Sequence, residues 1–487
     1  MLSLLRSLLR TTLVTLALLT APVAFAAAAS AARPPNIIFI LADDLGFGDL
    51  GSYGQKRFAT PHLDRLAAEG LRFTQHYSGA TVCAPSRSAL LTGLHTGHTP
   101  IRGNKEVQPE GQHPLPADSR TLAKQLQRAG YATGVFGKWG LGFPGSEGAP
   151  RRQGFDRFYG FNCQRLGHHY YPDHLWDDDT KIPLAGNANR RNGDYAPSLI
   201  HEKTLGFIEA NRDRPFFCFV ATIIPHAELI APESYLARHR GHYGPETPYR
   251  GVDDGPTFRQ GPYISQPEPR AAYAAMINLL DDQVGEIVAT VRRLGLAENT
   301  LIVFTSDNGP SVEGGSDPAY FNSSGGLRGV KRDLYEGGIR VPMIAHWPGT
   351  VARGAVSSHV SAFWDWLPTF AELASQPAPA DLDGLSLAPT LTGRGRQAQH
   401  DYLYWEFHEG GGRVALRQGD WKVVRTDVLK APDGPLALFN LATDPTETTD
   451  LAARHPDTVK KLNELLRSAR TESPLFRFGQ TGYLQAR

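Results

Sequence analysis

The feature that most limits what this chain can fold into is an unbroken apolar run, Ile37-Ile38-Phe39-Ile40-Leu41, opened by Asn36. A strand with one face in water alternates apolar and polar positions. Continuous Ile, Phe and Leu therefore predict a strand buried on both faces, the usual state of a parallel strand covered by helices. Further strands are expected at Tyr131 to Phe136, Pro215 to Ile224 and Leu301 to Ser306. Helical segments separate them. Thr60-Pro61 opens one through Leu63, Leu66 and Ala67 that stops at Gly70, Thr121 to Ala129 is ended by Gly130, and Ala271 to Leu294 is long. Strands alternating with helices predict an α/β fold around a mostly parallel sheet.

Each expected strand releases chemically active residues at its carboxyl end. The first gives Asp43-Asp44, the second Lys138 within Gly137-Lys138-Trp139-Gly140, the third Pro225-His226 and the fourth Asp307-Asn308-Gly309. Two adjacent carboxylates at the end of a buried strand are costly unless a cation compensates them, which favours a metal site. Helix capping by one Asp leaves the other unexplained. Asn308-Gly309 is also compatible with a plain turn, and Lys138 with a solvated residue. Open α/β sheets bind ligands beyond their carboxyl edge, so the four ends together predict a site there.

A fifth stretch, Val82-Cys83-Ala84-Pro85-Ser86-Arg87 followed by Leu90-Leu91-Thr92-Gly93, puts a thiol at a loop-to-helix junction where free N–H groups favour an anion. A lone cysteine is ordinarily a small buried hydrophobe. This context instead resembles the signature of the type I sulfatases, formylglycine-dependent and arylsulfatase-like, in the alkaline phosphatase superfamily. The resemblance implies an alkaline-phosphatase-like α/β fold, a central mixed, mostly parallel sheet flanked by helices, plus a small C-terminal α+β subdomain with an antiparallel sheet. It also implies that a formylglycine-generating enzyme oxidises Cys83 to formylglycine. One divalent cation, Ca²⁺, would be held by Asp43, Asp44, Cys83, Asp307 and Asn308. All the Asp and Asn ligands are hard oxygens, which suits calcium and not a structural zinc.

The same resemblance assigns Arg87 to anchoring the modified residue, Lys138 and Lys331 to binding sulfate, and His226 to protonating the leaving alcohol. The second signature departs from the family. Where it usually reads Gly-Lys-Trp-His, Gly140 stands in place of the histidine. His168 or His169, in the aromatic stretch Asn162 to Trp176, is the expected substitute, with a surface loop as the plainer alternative. The segment Pro232 to Pro269, rich in Gly, Pro, His and Tyr, reads as an excursion shaping the substrate mouth.

Composition adds bounds. The chain has 487 residues and a formal net charge of +1, which gives no footing for a nucleic-acid partner. Residues 1–32 carry Arg6, Arg10 and an apolar run from Leu13 to Leu19, the pattern of a signal peptide, predicting a periplasmic or secreted protein with no membrane association after its removal. Three cysteines are too few for a disulfide scaffold, and whether Cys163 and Cys218 pair stays open. Beyond the linker-like Gln376-Pro377-Ala378-Pro379-Ala380, short alternating strands at Tyr402 to Phe407, Arg413 to Arg417 and Trp421 to Arg425 precede a helix at Asp457 to Arg467. The division is a catalytic domain over 33–377 and a C-terminal subdomain over 378–487. The expected activity is hydrolysis of a sulfate ester on a sulfated carbohydrate, the partner being a sulfated small molecule or saccharide substrate. A phosphatase or phosphodiesterase of the superfamily and a non-catalytic glycan-binding relative are the alternatives.

Overall fold

The first apolar run forms β1, Asn36–Ala42, and it is the axis of the fold because its side chains leave in two directions into dry layers. The computed structural model describes residues 33–255 and 263–477; the signal-peptide reading of residues 1–32 lies outside them. Ile38 and Ile40 join one core layer and Ile37, Phe39 and Leu41 the other, as the two-residue period of a strand requires. Burying each such side chain contributes about 1.5–3 kcal/mol.

The other strands of the large sheet are β2 Leu71–Tyr77, β3 Ala132–Lys138, β4 Arg157–Phe161, β5 His174–Asp177, β6 Thr180–Pro183, β7 Phe216–Ala221, β8 Thr300–Ser306, β9 Arg340–His346, β10 Ala355–Ser357 and β11 Ser361–Ala362. Their order is β10-β2-β9-β8-β1-β7-β3-β4-β5-β6, with β11 beside β2. The four strands expected from sequence are β8, β1, β7 and β3. They are neighbours, and every pairing among them is parallel. Their carboxyl ends therefore form one rim. Antiparallel pairings lie outside this block, at β8–β9, β2–β9, β4–β5 and β5–β6, so the sheet is mixed but mostly parallel where it matters for the site.

Helices cover both faces. α1 (Pro61–Glu69), α4 (Ala196–Ala210) and the 25-residue α5 (Pro269–Arg293) pack on the Ile38 side through Leu63, Phe207 and Leu280. On the Phe39 side lie α2 (Cys83–Thr92), α3 (Leu122–Arg128) and α6 (Trp366–Leu373), through Leu90, Leu126 and Phe370. Among the described residues no helix is long and apolar enough to cross a membrane. Cys163 and Cys218 are separate buried thiols, which closes the pairing question left by the sequence.

The chain from Pro34 onward forms one unit by its contacts. Within it, β12 (Leu403–Phe407), β13 (Arg413–Gln418), β14 (Trp421–Thr426) and β15 (Ala437–Asn440) make a separate antiparallel sheet, with α7 (Pro456–Ser468) packed on it through Leu462 and Leu466. The sequence announced three of these strands. The fourth, β15, gave no separate signal, because it is short and carries only Leu438 and Phe439 as buried apolar residues.

Buried polar pairs fasten the two sheets. Lys422 of β14 reaches Glu336 Oε1 and Glu447 Oε1, both at 2.9 Å, and Tyr77 of β2 donates to Glu336 Oε2 at 2.6 Å. Nearby, Glu406 of β12 accepts from Arg102 at 3.2 Å and from Arg470 at 2.9 Å, and pairs with His408 at 2.9 Å. Burial alone would raise the Glu406 carboxyl; His408, Arg102 and Arg470 instead hold it down to about 2.

Two outcomes follow from these pairs. Lys422→Met leaves two carboxylates facing each other in a dry interface and should destabilise the protein by about 3–5 kcal/mol, read as a lower denaturant midpoint. Because the folded Glu406 pKa lies below its ordinary 4.5, its stabilisation is complete above that value and is lost as pH falls toward about 2. Acid titrations of melting temperature should therefore show a decline over that window that is shallower in Glu406→Gln.

Candidate active site

The rim of β8, β1, β7 and β3 gathers the residues singled out in the sequence. β1 runs directly into Asp43 and Asp44. Asp44 has φ +64°, a left-handed turn that breaks strand alternation and brings both carboxylates to the same place. The Asp44 N–H donates to Asp307 Oδ1 at 3.2 Å, and Asn308 Nδ2 donates to Asp44 Oδ1 at 2.7 Å, so the ends of β1 and β8 are tied together.

Cys83 is the first residue of α2, at the loop-to-helix junction expected from the sequence. Its sulfur lies 3.4 Å from Asp43 Oδ1 and 3.2 Å from Lys138 Nζ. The Ala84 N–H behind it donates to Asn104 Oδ1 at 3.1 Å. Ser86 Oγ donates to the Asp307 carbonyl at 2.6 Å and fixes the helix against the rim. Burial first, and then the charge of Asp43, push the thiol well above its usual range, so the sulfur is held as a neutral thiol.

Arg87 is fully enclosed, and its Nη2 donates to Asp307 Oδ2 at 2.9 Å and Asp43 Oδ2 at 3.2 Å. Nη1 donates to the Lys138 carbonyl at 2.6 Å. Arg87 thus clamps the ends of β1, β3 and β8 together. Lys138 Nζ also pairs with Asp43 Oδ2. Lys331 Nζ reaches Asp44 Oδ2 at 2.8 Å, His226 Nε2 at 3.0 Å and Glu313 Oε2 at 3.3 Å. Burial would raise the Asp43 carboxyl; Lys138, with His226, Arg87 and Lys331, overcomes it and holds it low. Burial would lower Lys331, but Asp44 holds it well above its ordinary value and keeps it protonated.

His226 follows β7. Its Nδ1 pairs with the Ala227 carbonyl, which can only accept, so Nδ1 carries the proton and Nε2 is left to accept from Lys331. Burial, reinforced by Lys331, lowers its pKa. The His168 ring stacks on His226, with centroids 4.6 Å apart and planes 11° apart. His169 turns away to Glu228.

Three groups at the site had no separate signal in the sequence. Glu313 bridges Lys331, Arg332 and the hydroxyl of Tyr263. Tyr263 comes from the Pro232–Pro269 excursion and packs near both histidine rings, as a mouth-shaping segment should. Asn104 lies on a loop with no periodic pattern.

The oxygens fit a hard divalent cation. Asp43 and Asp44, with Cys83 and His226, offer atoms mutually within 4.8 Å, and Asp307 and Asn308 join them through the contacts above. Asn308 supplies an independent sign. Its Oδ1 is buried without a hydrogen-bond partner, as befits an oxygen kept for a cation.

Comparison with known proteins agrees with this geometry. The family model described as Sulfatase matches residues 35–376, and one described as N-sulphoglucosamine sulphohydrolase, C-terminal, matches 329–472. Human arylsulfatase A is 35% identical over 91% of this chain and 89% of its own length. Mouse N-acetylgalactosamine-6-sulfatase is 32% identical over 81% and 72%. The solved structure of Ps i-CgsB in complex with k-i-k-neocarrahexaose superposes with a TM-score of 0.75 at 26% identity, covering 93% of this chain and 97% of that one.

Removing one oxygen tests the cation reading without any substrate. Wild-type protein should melt at a higher temperature with Ca²⁺ than with chelator, and Asn308→Ala should need at least about tenfold more Ca²⁺ for half of that shift. Equal Ca²⁺ dependence in the two proteins would remove Asn308 from the ligand set.

Proposed function

We propose that this chain, which belongs to the sulfatase family and is a sulfuric ester hydrolase, removes sulfate from a sulfated saccharide, with Cys83 converted to formylglycine and Ca²⁺ held by Asp43, Asp44, Asp307 and Asn308. The observation that carries this reading is the meeting of Cys83 with Lys138 and Asp43 at the rim of four parallel strands. Two relatives support the saccharide. One is named an N-acetylgalactosamine-6-sulfatase, and another is solved with a neocarrahexaose.

The pair of bound groups would supply Lewis-acid stabilisation of charge on the sulfate and an oxygen nucleophile with a second hydroxyl for release. The chain's own residues do the remaining work. Lys138 and Lys331 place two fixed ammonium charges where negative charge spreads over sulfate oxygens in the transition state. Arg87 keeps Asp43, Asp307 and the end of β3 from separating, and so holds residue 83 in register with both lysines. Lys331 keeps its ammonium charge throughout, and His226, whose Nε2 lies 3.0 Å from it, would protonate the leaving alcohol after taking up a proton from solvent. His168 stacks on the His226 ring and limits its rotation.

Residues 33–377 carry this chemistry, and residues 378–487 flank it. The 1–32 leader would send the chain to the periplasm or outside the cell, after a formylglycine-generating enzyme has acted on Cys83. A phosphatase reading is disfavoured by the thiol, since those relatives of the superfamily use an unmodified Ser or Thr.

A panel of matched sulfate and phosphate esters, with and without chelator, tests the assignment. Sulfate esters should be cleaved, phosphate esters should lag, and chelator should stop turnover. Cys83→Ala should lower kcat by about 10⁴-fold or more. Peptide mass spectrometry across Thr81 to Arg87, on protein from its own host, should find an aldehyde at residue 83. Unaltered thiol alone in active protein would overturn the mechanism.

A further inference from the structure

Gly140 lies two residues past Lys138, in the position where the family signature usually has a histidine. On the chain leaving β3, Trp139 turns into the core and its indole donates to the Gly148 carbonyl at 2.8 Å. Gly140 has φ +75°, and a Cβ built there would sit 2.2 Å from Gln164 Nε2. The space that a side chain at 140 would fill is therefore taken by the Gln164 amide. His168 was the expected substitute, but its ring lies against His226.

The turn that carries Gln164 is anchored at the site. The Gly140 N–H donates to the Asn162 carbonyl at 3.0 Å, and Gly167 is pressed onto Lys138, with 2.8 Å between a built Cβ and Lys138 Cδ. Gln164 is 5% exposed, yet neither of its amide atoms has a hydrogen-bond partner. Asn162 Nδ2 and both amide atoms of Gln112, whose backbone N–H donates to the Gly142 carbonyl, are likewise buried and unpartnered.

Buried amide atoms are costly to leave unpaired, and native structures explain the exceptions by water, ions or function. Three nitrogens and two oxygens are unpaired here. Pairing the oxygens internally leaves donors in excess. An excess of N–H donors on a turn pressed against the Lys138 side chain suits an anion, which accepts only, better than a hydroxyl, which also needs an acceptor.

Resting on the sulfatase reading above, we infer that Gln164 Nε2 is a neutral sulfate-binding donor that works beside Lys138, in the space left by the missing side chain of Gly140. It would donate to a non-bridging oxygen of the substrate's sulfate and of the sulfate released. A neutral amide in this place holds the anion without adding a proton that titrates near neutrality.

The test compares wild type, Gln164→Met and Gln164→Glu, by competitive inhibition of 4-nitrophenyl sulfate hydrolysis by inorganic sulfate and by the sulfate-induced shift in melting temperature. Gln164→Met keeps the packing and removes the donor. It should raise the sulfate inhibition constant about tenfold while its melting temperature without sulfate stays at or above that of wild type. Gln164→Glu should raise it further by repelling the anion. Wild-type sulfate affinity in both variants would overturn the inference and leave the hydrolase assignment standing. Loss of bound sulfate in the variants of a protein that cleaves no sulfate ester would do the opposite.

Discussion

Balanced charge in a largely buried place is the constraint on which the rest of this structure depends. At the carboxyl rim of the sheet, Asp43, Asp44, Asp307 and Glu313 face Arg87, Lys138, Lys331 and Arg332. Arg87, Lys138 and the three aspartates are at most 1% exposed. Any one of the fully buried groups, charged and alone, would cost several kcal/mol, a large part of a domain's net stability. Together they neutralise one another, and each partner comes from a different stretch of chain. The fold must therefore bring all of those stretches to one point.

That requirement explains the architecture around the rim. Four parallel strands guarantee that the ends of β1, β3, β7 and β8 lie side by side, and two helix layers keep water from the strands beneath them. α2 begins at Cys83 and is buried along its whole length, so the thiol and Arg87 are carried on a rigid element. The Asp307 carbonyl, held by Ser86, and the Asp307 carboxylate, held by Arg87, bind that helix to β8 at two points.

Much of this was legible in the linear order of residues. An unbroken run such as Ile37 to Leu41 has one stable environment, and the polar residues that follow it can only emerge at the strand's end. The motif around Cys83 and the polar pairs after each apolar run therefore located most of the site. Strands such as β15 and β2 were less visible, because short or half-exposed strands lack a continuous apolar signal. Glu313, Tyr263 and Asn104 were invisible for a different reason. They sit in irregular segments, where nothing local distinguishes a residue that lines a site from one that meets solvent.

The sequence by itself determined the α/β class, the parallel block, the residues that must find buried partners and the family to which they point, because burial period and charge cost are local properties of the chain. Only the tertiary structure decided who pairs with whom. It showed Arg87 clamping three strand ends, Lys331 set against His226 Nε2, and the room beside Gly140 filled by Gln164. Those outcomes depend on distances between segments far apart in the chain, and such distances exist only after the sheet has set its strand order.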